Sequence, residues 1–325
     1  MKKCIAVICL GCVIALAGCQ EKVVNEQRET DDVKQPVTYT QDKEQEEAGP
    51  VIVEIVDPQT NEVIHMLSPQ ELGYETDPEM YKRSIEQLAQ QLARGTETIA
   101  GFDKRMELDK LDDNGRIIKG SPLVILKESE LVEKVLAVSA TGGKVEMPIY
   151  ITESGYYLED IPYLEEVVVA SYTTYFNSSD AGRNKNIELS AQAINNVIVG
   201  SGDTFSFNTV VGPRDEANGY QPAPEIINKK LVMGIGGGIC QTSSTLFNAV
   251  DQLPIKFVER HHHSLDVGYV PKGRDATVSY GTLDFRFQNT SDVAFLIKAT
   301  YGQDFLTVEV RTSEKYQEIL KKLAQ

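Results

Sequence analysis

The residues best placed to do chemistry cluster around one thiol. Three glycines, Gly236-Gly237-Gly238, precede Ile239, Cys240 and Gln241. Glycines permit close backbone approach and positive φ, and a helix is expected to open here. A thiol in the first turn of a helix meets unpaired N–H groups and the positive end of the dipole, which lowers its pKa. The same amides can hold an oxyanion, and the Gln241 side-chain amide offers one more donor. His261-His262-His263 follow 21 to 23 positions later at the end of a strand-like run, with Asp275 and Asp284 beyond them. Cysteine on a helix start, then histidine, then carboxylate is the chain order of a nucleophilic triad. Strand alternation places His261 and His263 on one face and His262 on the other. The candidate catalytic residues are therefore Cys240, His263, His261, Asp275 and Gln241. His263 is expected to be the nearer partner of the thiol with Asp275 orienting it, and His261 stays open as the alternative. Ser243-Ser244-Thr245 read as tight helix packing. No metal and no cofactor is expected: the histidines lack an HExxH pattern, and no Lys-Ser/Thr follows the glycines.

The elements that must hold these residues are short strands and a few helices, an α+β composition. Residues 51–165 read as a first small α+β unit. It comprises strands at Val51–Val56 and Glu62–Met66, a helix from Asp77-Pro78 to about Leu92, and a strand Leu123–Leu126. A helix from Ser129 or Glu130 to about Ala140 and a strand Val145–Ile151 complete it. His65 falls in a strand and reads as structural. Residues 166–325 form a β-rich second unit. Its expected helices are Asn186–Val197, a short one opening at Cys240, and Ser313–Leu323. Its expected strands are Thr204–Val211, Ile255–Glu259, Val267–Val270, Ala276–Tyr280, Leu283–Phe287, Ala294–Tyr301 and Phe305–Arg311.

The beginning of the chain reads as an address. Lys2 and Lys3 precede about a dozen apolar residues, Ile5–Leu16, too short to span a bilayer and suited to a signal segment. Leu16-Ala17-Gly18-Cys19 resembles the lipobox of bacterial lipoproteins. That resemblance implies removal of residues 1–18, acylation of Cys19 and attachment to the outer face of the cell membrane. Residues 20–50 are polar and charged, an acidic tether that cannot offset its own ordering entropy. With Cys4, Cys9 and Cys12 in the signal and Cys19 acylated, Cys240 is the remaining thiol, so neither a disulfide nor a zinc site is expected.

The second unit resembles the VanW family. The markers are Val211-Gly212-Pro213, Gly219-Tyr220, the Gly236–Gln241 run, Ser243-Ser244-Thr245-Leu246 and Glu259-Arg260-His261-His262-His263-Ser264. Tyr269-Val270-Pro271, Gly273-Arg274-Asp275-Ala276, Asp284 and Asn289 complete the set. Many members carry Pro between two histidines where this chain has His262, which sets His262 outside the motif. The preceding unit, around Gly120 and Gly142–Pro148, is similar to a peptidoglycan-binding module often found before a VanW domain. The family resemblance implies a link to glycopeptide-resistance clusters and does not imply a reaction. A fainter similarity to transglutaminase-like and papain-like arrangements rests on the order of the site residues.

Charge narrows the partners. Of 325 residues, 32 are Lys or Arg and 48 are Asp or Glu, a net charge of −16, which excludes a nucleic-acid binder. Two readings stay open. One is a membrane-anchored lipoprotein that binds peptidoglycan or a wall-associated protein. The other is a thiol enzyme that hydrolyses or transfers amide bonds of peptidoglycan stem peptides.

Overall fold

The computed structural model describes residues 49–227 and 230–323. The signal segment, Cys19 and nearly all of the tether lie outside the described residues. The chain from Gly49 onward forms one compact unit of mixed α+β structure.

Its first part is built on apolar patterning. Val53–Val56 pairs antiparallel with Val63–Leu67 and parallel with Gly143–Glu146. Helix α1 (Pro78–Arg94) starts where Asp77 accepts a hydrogen bond from the Met80 amide and Pro78 takes the first position, where a missing N–H costs nothing. Tyr81, Ile85, Ala89 and Ala93, four residues apart, form its buried stripe. Helix α2 (Glu128–Val138) buries Leu131, Val132 and Val135 against the same core, which also takes Val53, Ile55, Leu67 and Met147. Each fully buried aliphatic side chain contributes about 1.5–3 kcal/mol. The single strand expected at Val145–Ile151 is two. Pro148 has no amide to continue a ladder, so Gly143–Glu146 stays with the first sheet and Ile149–Thr152 pairs with Leu123–Leu126.

The second part centres on a six-stranded antiparallel sheet. In spatial order its strands are Ile117–Ile118, Lys110–Leu111, Val197–Val199, Phe295–Tyr301, Phe305–Thr312 and Val167–Tyr175. Two of these strands come from before residue 165, so the hydrogen bonding does not stop at the expected boundary. Buried carboxylates stitch the same seam: Asp109 accepts from Lys119 Nζ and Gly120 N, and Asp203 from Gly155 N and Gly200 N.

Helix α3 (Ala181–Ile194) begins five residues earlier than expected because the Asp180 carboxylate caps it, accepting from the Arg183 amide. It ends before Asn196, whose positive φ of 63° turns Val197–Val199 into the sheet. The strand expected at Thr204–Val211 stops at Ser206. There the Ser206 hydroxyl accepts from the Thr209 amide and opens α4 (Phe207–Val211). Helix α5 (Ile239–Val250) packs on Val167–Tyr175, on Phe305–Thr312 and on α3. A three-stranded sheet, Thr204–Ser206, Arg286–Asn289 and Ile255–Glu259, and a hairpin, Pro222–Ile227 with Lys230–Ile235, flank it. No strands form at Val267–Val270 or Ala276–Tyr280; that stretch is a loop pinned by isolated bridges from His261 to Thr277 and from Ser279 to Leu283. The chain closes with a 3-10 turn, Glu314–Tyr316, and helix α6 (Gln317–Leu323).

Candidate functional site

The glycine run does what its composition suggests. Gly238 is the N-cap of α5 at φ 104°, a conformation that L side chains rarely adopt, and a Cβ there would lie 2.7 Å from Arg183 Cγ. A Cβ on Gly237 would lie 2.6 Å from the Ala223 carbonyl. Cys240 therefore sits in the first turn of α5, half-buried, with its sulfur 3.5 Å from the Val278 amide and 3.6 Å from Thr277 Oγ1.

His263 is the thiol's partner. Its side chain is only 8% exposed, and its Nδ1 lies 2.7 Å from Asp275 Oδ2, which also accepts from the His263 amide at 2.7 Å. With Nδ1 donating to the carboxylate, Nε2 is left to face the sulfur. Burial pushes the Cys240 thiol up, but the His263 ring and the Val278 amide outweigh it and hold the thiol below its ordinary range. For His263 burial opposes the cation, and the thiol and Asp275 together raise its pKa. The two shifts have opposite sign, which is the signature of a thiolate–imidazolium pair. Asp275 is itself buried, which favours its neutral form. Hydrogen bonds from His262 and from the His263 amide and ring overcome this and hold it down at about 2.

Helix α5 also sets the position of the Asp275 loop. Ser244 Oγ accepts from the Ala276 amide at 2.9 Å, Ser243 Oγ donates to the Ala276 carbonyl, and both hydroxyls also bond the Cys240 carbonyl. Asn248 bonds the Arg274 carbonyl and accepts from the Arg274 guanidinium. The polar residues that follow the cysteine are thus braces that hold the carboxylate loop at a fixed distance from the thiol.

Three expectations are corrected. His261 does not face the thiol. The ladder that would enforce alternation ends at Glu259, and His261 turns to Glu259 Oε1 at 3.0 Å. His262, set outside the motif on sequence grounds, reaches Asp275 Oδ1 at 2.8 Å while its other nitrogen meets Arg260 at 2.9 Å. Gln241 is fully buried and its amide is committed: Oε1 accepts from Arg183 Nη2, and Nε2 donates to Thr174 Oγ1 and the Tyr175 carbonyl. It cannot serve an oxyanion. Of the first-turn amides, those of Ile239 and Gln241 bond the Gly236 and Gly238 carbonyls. The Cys240 amide has no such backbone acceptor among the described residues, which makes it the available donor.

The thiol opens on a cavity of about 850 Å³ lined by Tyr269, from the Tyr269-Val270-Pro271 motif, and by residues that sequence reasoning missed, notably Arg183, Arg214 and Glu225. These three come from α3, from the loop after α4 and from the hairpin. No local pattern marks them. Among the described residues no group of three or more His, Cys, Asp or Glu is arranged to hold a metal ion.

Residues 182–311, which carry Cys240, His263, Asp275 and the cavity residues Arg183, Arg214, Glu225 and Tyr269, match the family described as VanW like protein. The uncharacterized protein YoaR of Bacillus subtilis (strain 168) is 40% identical over 249 residues, covering 76% of this chain and 79% of that protein. The chain belongs to the VanW-like family. The vancomycin B-type resistance protein VanW of Enterococcus faecalis (strain ATCC 700802 / V583) is 30% identical over 141 residues. That match covers 42% of this chain and about half, 51%, of VanW. No solved structure matches. The matched family segment starts at α3 and ends in the strand Phe305–Thr312, so it takes in the whole thiol site and leaves out the α1–α2 part.

Proposed function

We propose that this VanW-like protein is a lipid-anchored envelope enzyme that breaks or transfers amide bonds of peptidoglycan stem peptides through Cys240. The observation that carries the reading is the Cys240–His263–Asp275 geometry at the mouth of a cavity. The Cys240 thiolate attacks the amide carbonyl carbon, forming a C–S bond while the developing oxyanion accepts a hydrogen bond from the Cys240 amide. The His263 imidazolium gives its Nε2 proton to the departing nitrogen as the C–N bond breaks, leaving a thioester. Water or an acceptor amine then attacks, His263 takes the proton, and the thiolate leaves. Asp275 keeps His263 in the tautomer that both steps need. The order of thiol, imidazole and carboxylate along the chain supports an arrangement of papain or transglutaminase type. The test is incubation of the full mature protein with purified muropeptides, read by mass spectrometry. New cleavage or cross-link products that vanish in Cys240→Ala support the reading; no product with the wild type overturns it.

A second reading concerns the α1–α2 part, which has its own apolar core and holds none of the site residues. That independence supports a wall-binding role, as does the similarity to a peptidoglycan-binding module. Sacculus pull-down should then survive Cys240→Ser. The lipid anchor has its own test: Cys19→Ala should release the protein from the membrane pellet, and retention there would remove the anchor. Among the described residues no helix is long and apolar enough to cross a membrane. A role in glycopeptide resistance, borrowed from the name of the E. faecalis relative, is checked by the drug susceptibility of a deletion strain.

A further inference from the structure

The Arg214 side chain is mounted with care and left partly unused. Its Nη1 donates to Asn208 Oδ1 at 2.7 Å. Asn208 is fixed in turn: its amide donates to Asp284 Oδ1 at 2.9 Å, and its Nδ2 donates to the Leu283 and Ser279 carbonyls. The guanidinium lies between the rings of Phe207 and Tyr280, 5.5 and 5.4 Å from their centroids, and its stem passes over Gly236. Yet Nε and Nη2 are shielded from solvent and make no hydrogen bond among the described residues.

These two atoms are not an arbitrary pair. In a guanidinium the Nε–H and the adjacent Nη2–H point the same way along one edge, the fork that grips a carboxylate with two parallel bonds. A shielded donor left unpaired is destabilising, and more so when it is charged. That edge is held in reserve by a residue that lines the cavity containing Cys240. The nearby acids do not fill it. Asp284, the carboxylate whose charge reaches Arg214, accepts instead from the Asn208 amide, Ser206 and Arg105. Among the acids of the cavity, Asp180 caps α3, Asp266 pairs with Lys272 and burial pushes Glu225 toward its neutral form. Arg183, the other cavity arginine, spends Nη2 on Gln241 and stands over the Tyr269 ring.

We propose that the Nε/Nη2 edge of Arg214 is a carboxylate-binding subsite, so that the group entering the cavity carries a free carboxylate near the bond presented to Cys240. This deepens the thiol-enzyme reading and rests on it for the word substrate. In chemical terms the site selects a carboxyl-bearing amino-acid unit over its amidated form.

The test uses the full mature protein and two alkylating reagents, iodoacetate and iodoacetamide, which differ in the carboxylate alone. The ratio of their rates at Cys240 should fall about tenfold in Arg214→Gln, the change expected for losing one shielded charge-assisted contact. Arg214→Lys keeps the charge without the fork and should lose part of that ratio; it also decides the matter if the Gln variant fails to fold. If both rates fall together and the ratio holds, Arg214 acts only on the thiolate and the subsite is overturned. A second arm needs no thiol chemistry. N-acetylalanine should raise the melting temperature of the wild type more than N-acetylalaninamide does; Arg214→Lys should narrow the difference and Arg214→Gln should erase it. Equal shifts in the wild type overturn the subsite. A thiol inert to both reagents overturns the enzyme reading instead, and the thermal arm alone then judges the subsite.

Discussion

Helices α1 and α5 show two ways of being buried. Helix α1 presents one apolar stripe of Tyr81, Ile85, Ala89 and Ala93 and leaves its other face to water. Helix α5 is enclosed on nearly all sides, and Gln241, Thr242, Ser243, Ser244, Thr245 and Asn248 are all buried. Every one of those polar side chains has a partner: Thr242 meets Ser190 at 2.7 Å, and Thr245 meets Thr174 at 2.8 Å. An apolar stripe fixes which face is inside and tolerates small slips of packing. A hydrogen-bonded lattice fixes distances and angles, and an unsatisfied member is expensive. The difference indicates that α1 is held for stability and α5 for position.

The sharpest break is at the thiol. Cys240→Ala should lower turnover of muropeptides by at least about 10³-fold while moving the melting temperature little, because a nucleophile is lost and a small buried volume changes. Ile85→Ala in α1 should do the reverse, costing about 2–5 kcal/mol in urea unfolding with the native-state alkylation profile of Cys240 unchanged. A variant of either helix that behaved like the other would erase the distinction.

Removing the brace behind the thiol tests position directly. Gln241→Ala strips acceptors and donors from Arg183, Thr174 and Tyr175 and should cost about 2–3 kcal/mol. Turnover should fall as well, although Gln241 does not touch the cavity's reacting atoms. Full activity at reduced stability would mean that the lattice is mere packing.

Acid titration separates two members of the α5 site by sign. The folded-state pKa of Asp275, about 2, lies below its ordinary value of 3.8. Its contribution is therefore complete above the ordinary value and is lost as pH falls through about 2. After screening by solvent it should amount to about 1–2 kcal/mol. His263 is raised, so its contribution holds in mild acid and fades as pH climbs through its folded value. Urea midpoints of the wild type and Asp275→Asn should converge at the acid end and separate near neutrality. A constant gap would place the stabilisation elsewhere. The smallest expected effect is that of His262→Ala. It removes one of three donors to Asp275, and alkylation of Cys240 by iodoacetamide near pH 6.5 should slow about two- to threefold. The corresponding rate in His263→Ala should fall tenfold or more.

Much of the site was legible because its signals are local. A glycine run before a thiol marks a helix start within a few residues, and the pairing of His263 with Asp275 follows from the order of histidine and carboxylate along the chain, although the strands expected on either side of Asp275 do not form. The histidine faces were misjudged because alternation was carried past Glu259, where the ladder that enforces it has ended. Gln241 was misread because a residue beside a nucleophile can point inward as well as outward, and only the position of Arg183 settles which. Arg183 and Arg214 were invisible for a different reason: an arginine on a helix or in a loop reads as solvated until the fold closes over it. The seam at Asp109 and Asp203 was missed likewise, since two-residue strands such as Lys110–Leu111 carry no periodicity to count.

The glycine floor bears on how this pocket can change over generations. Side chains at Gly237 and Gly238 would strike the Ala223 carbonyl and the Arg183 stem, and one at Gly236 would press on the base of Arg214. No substitution there can reshape the cavity without dislodging the parts that give it its charge. Other parts of the wall come from the hairpin, through Pro224, Glu225 and Ile226, and from the loop Asp266–Tyr269. A lineage adapting to a different peptide has a frozen floor and a free wall, so diversity among descendants should gather in the hairpin and that loop, with the three glycines as the fixed background.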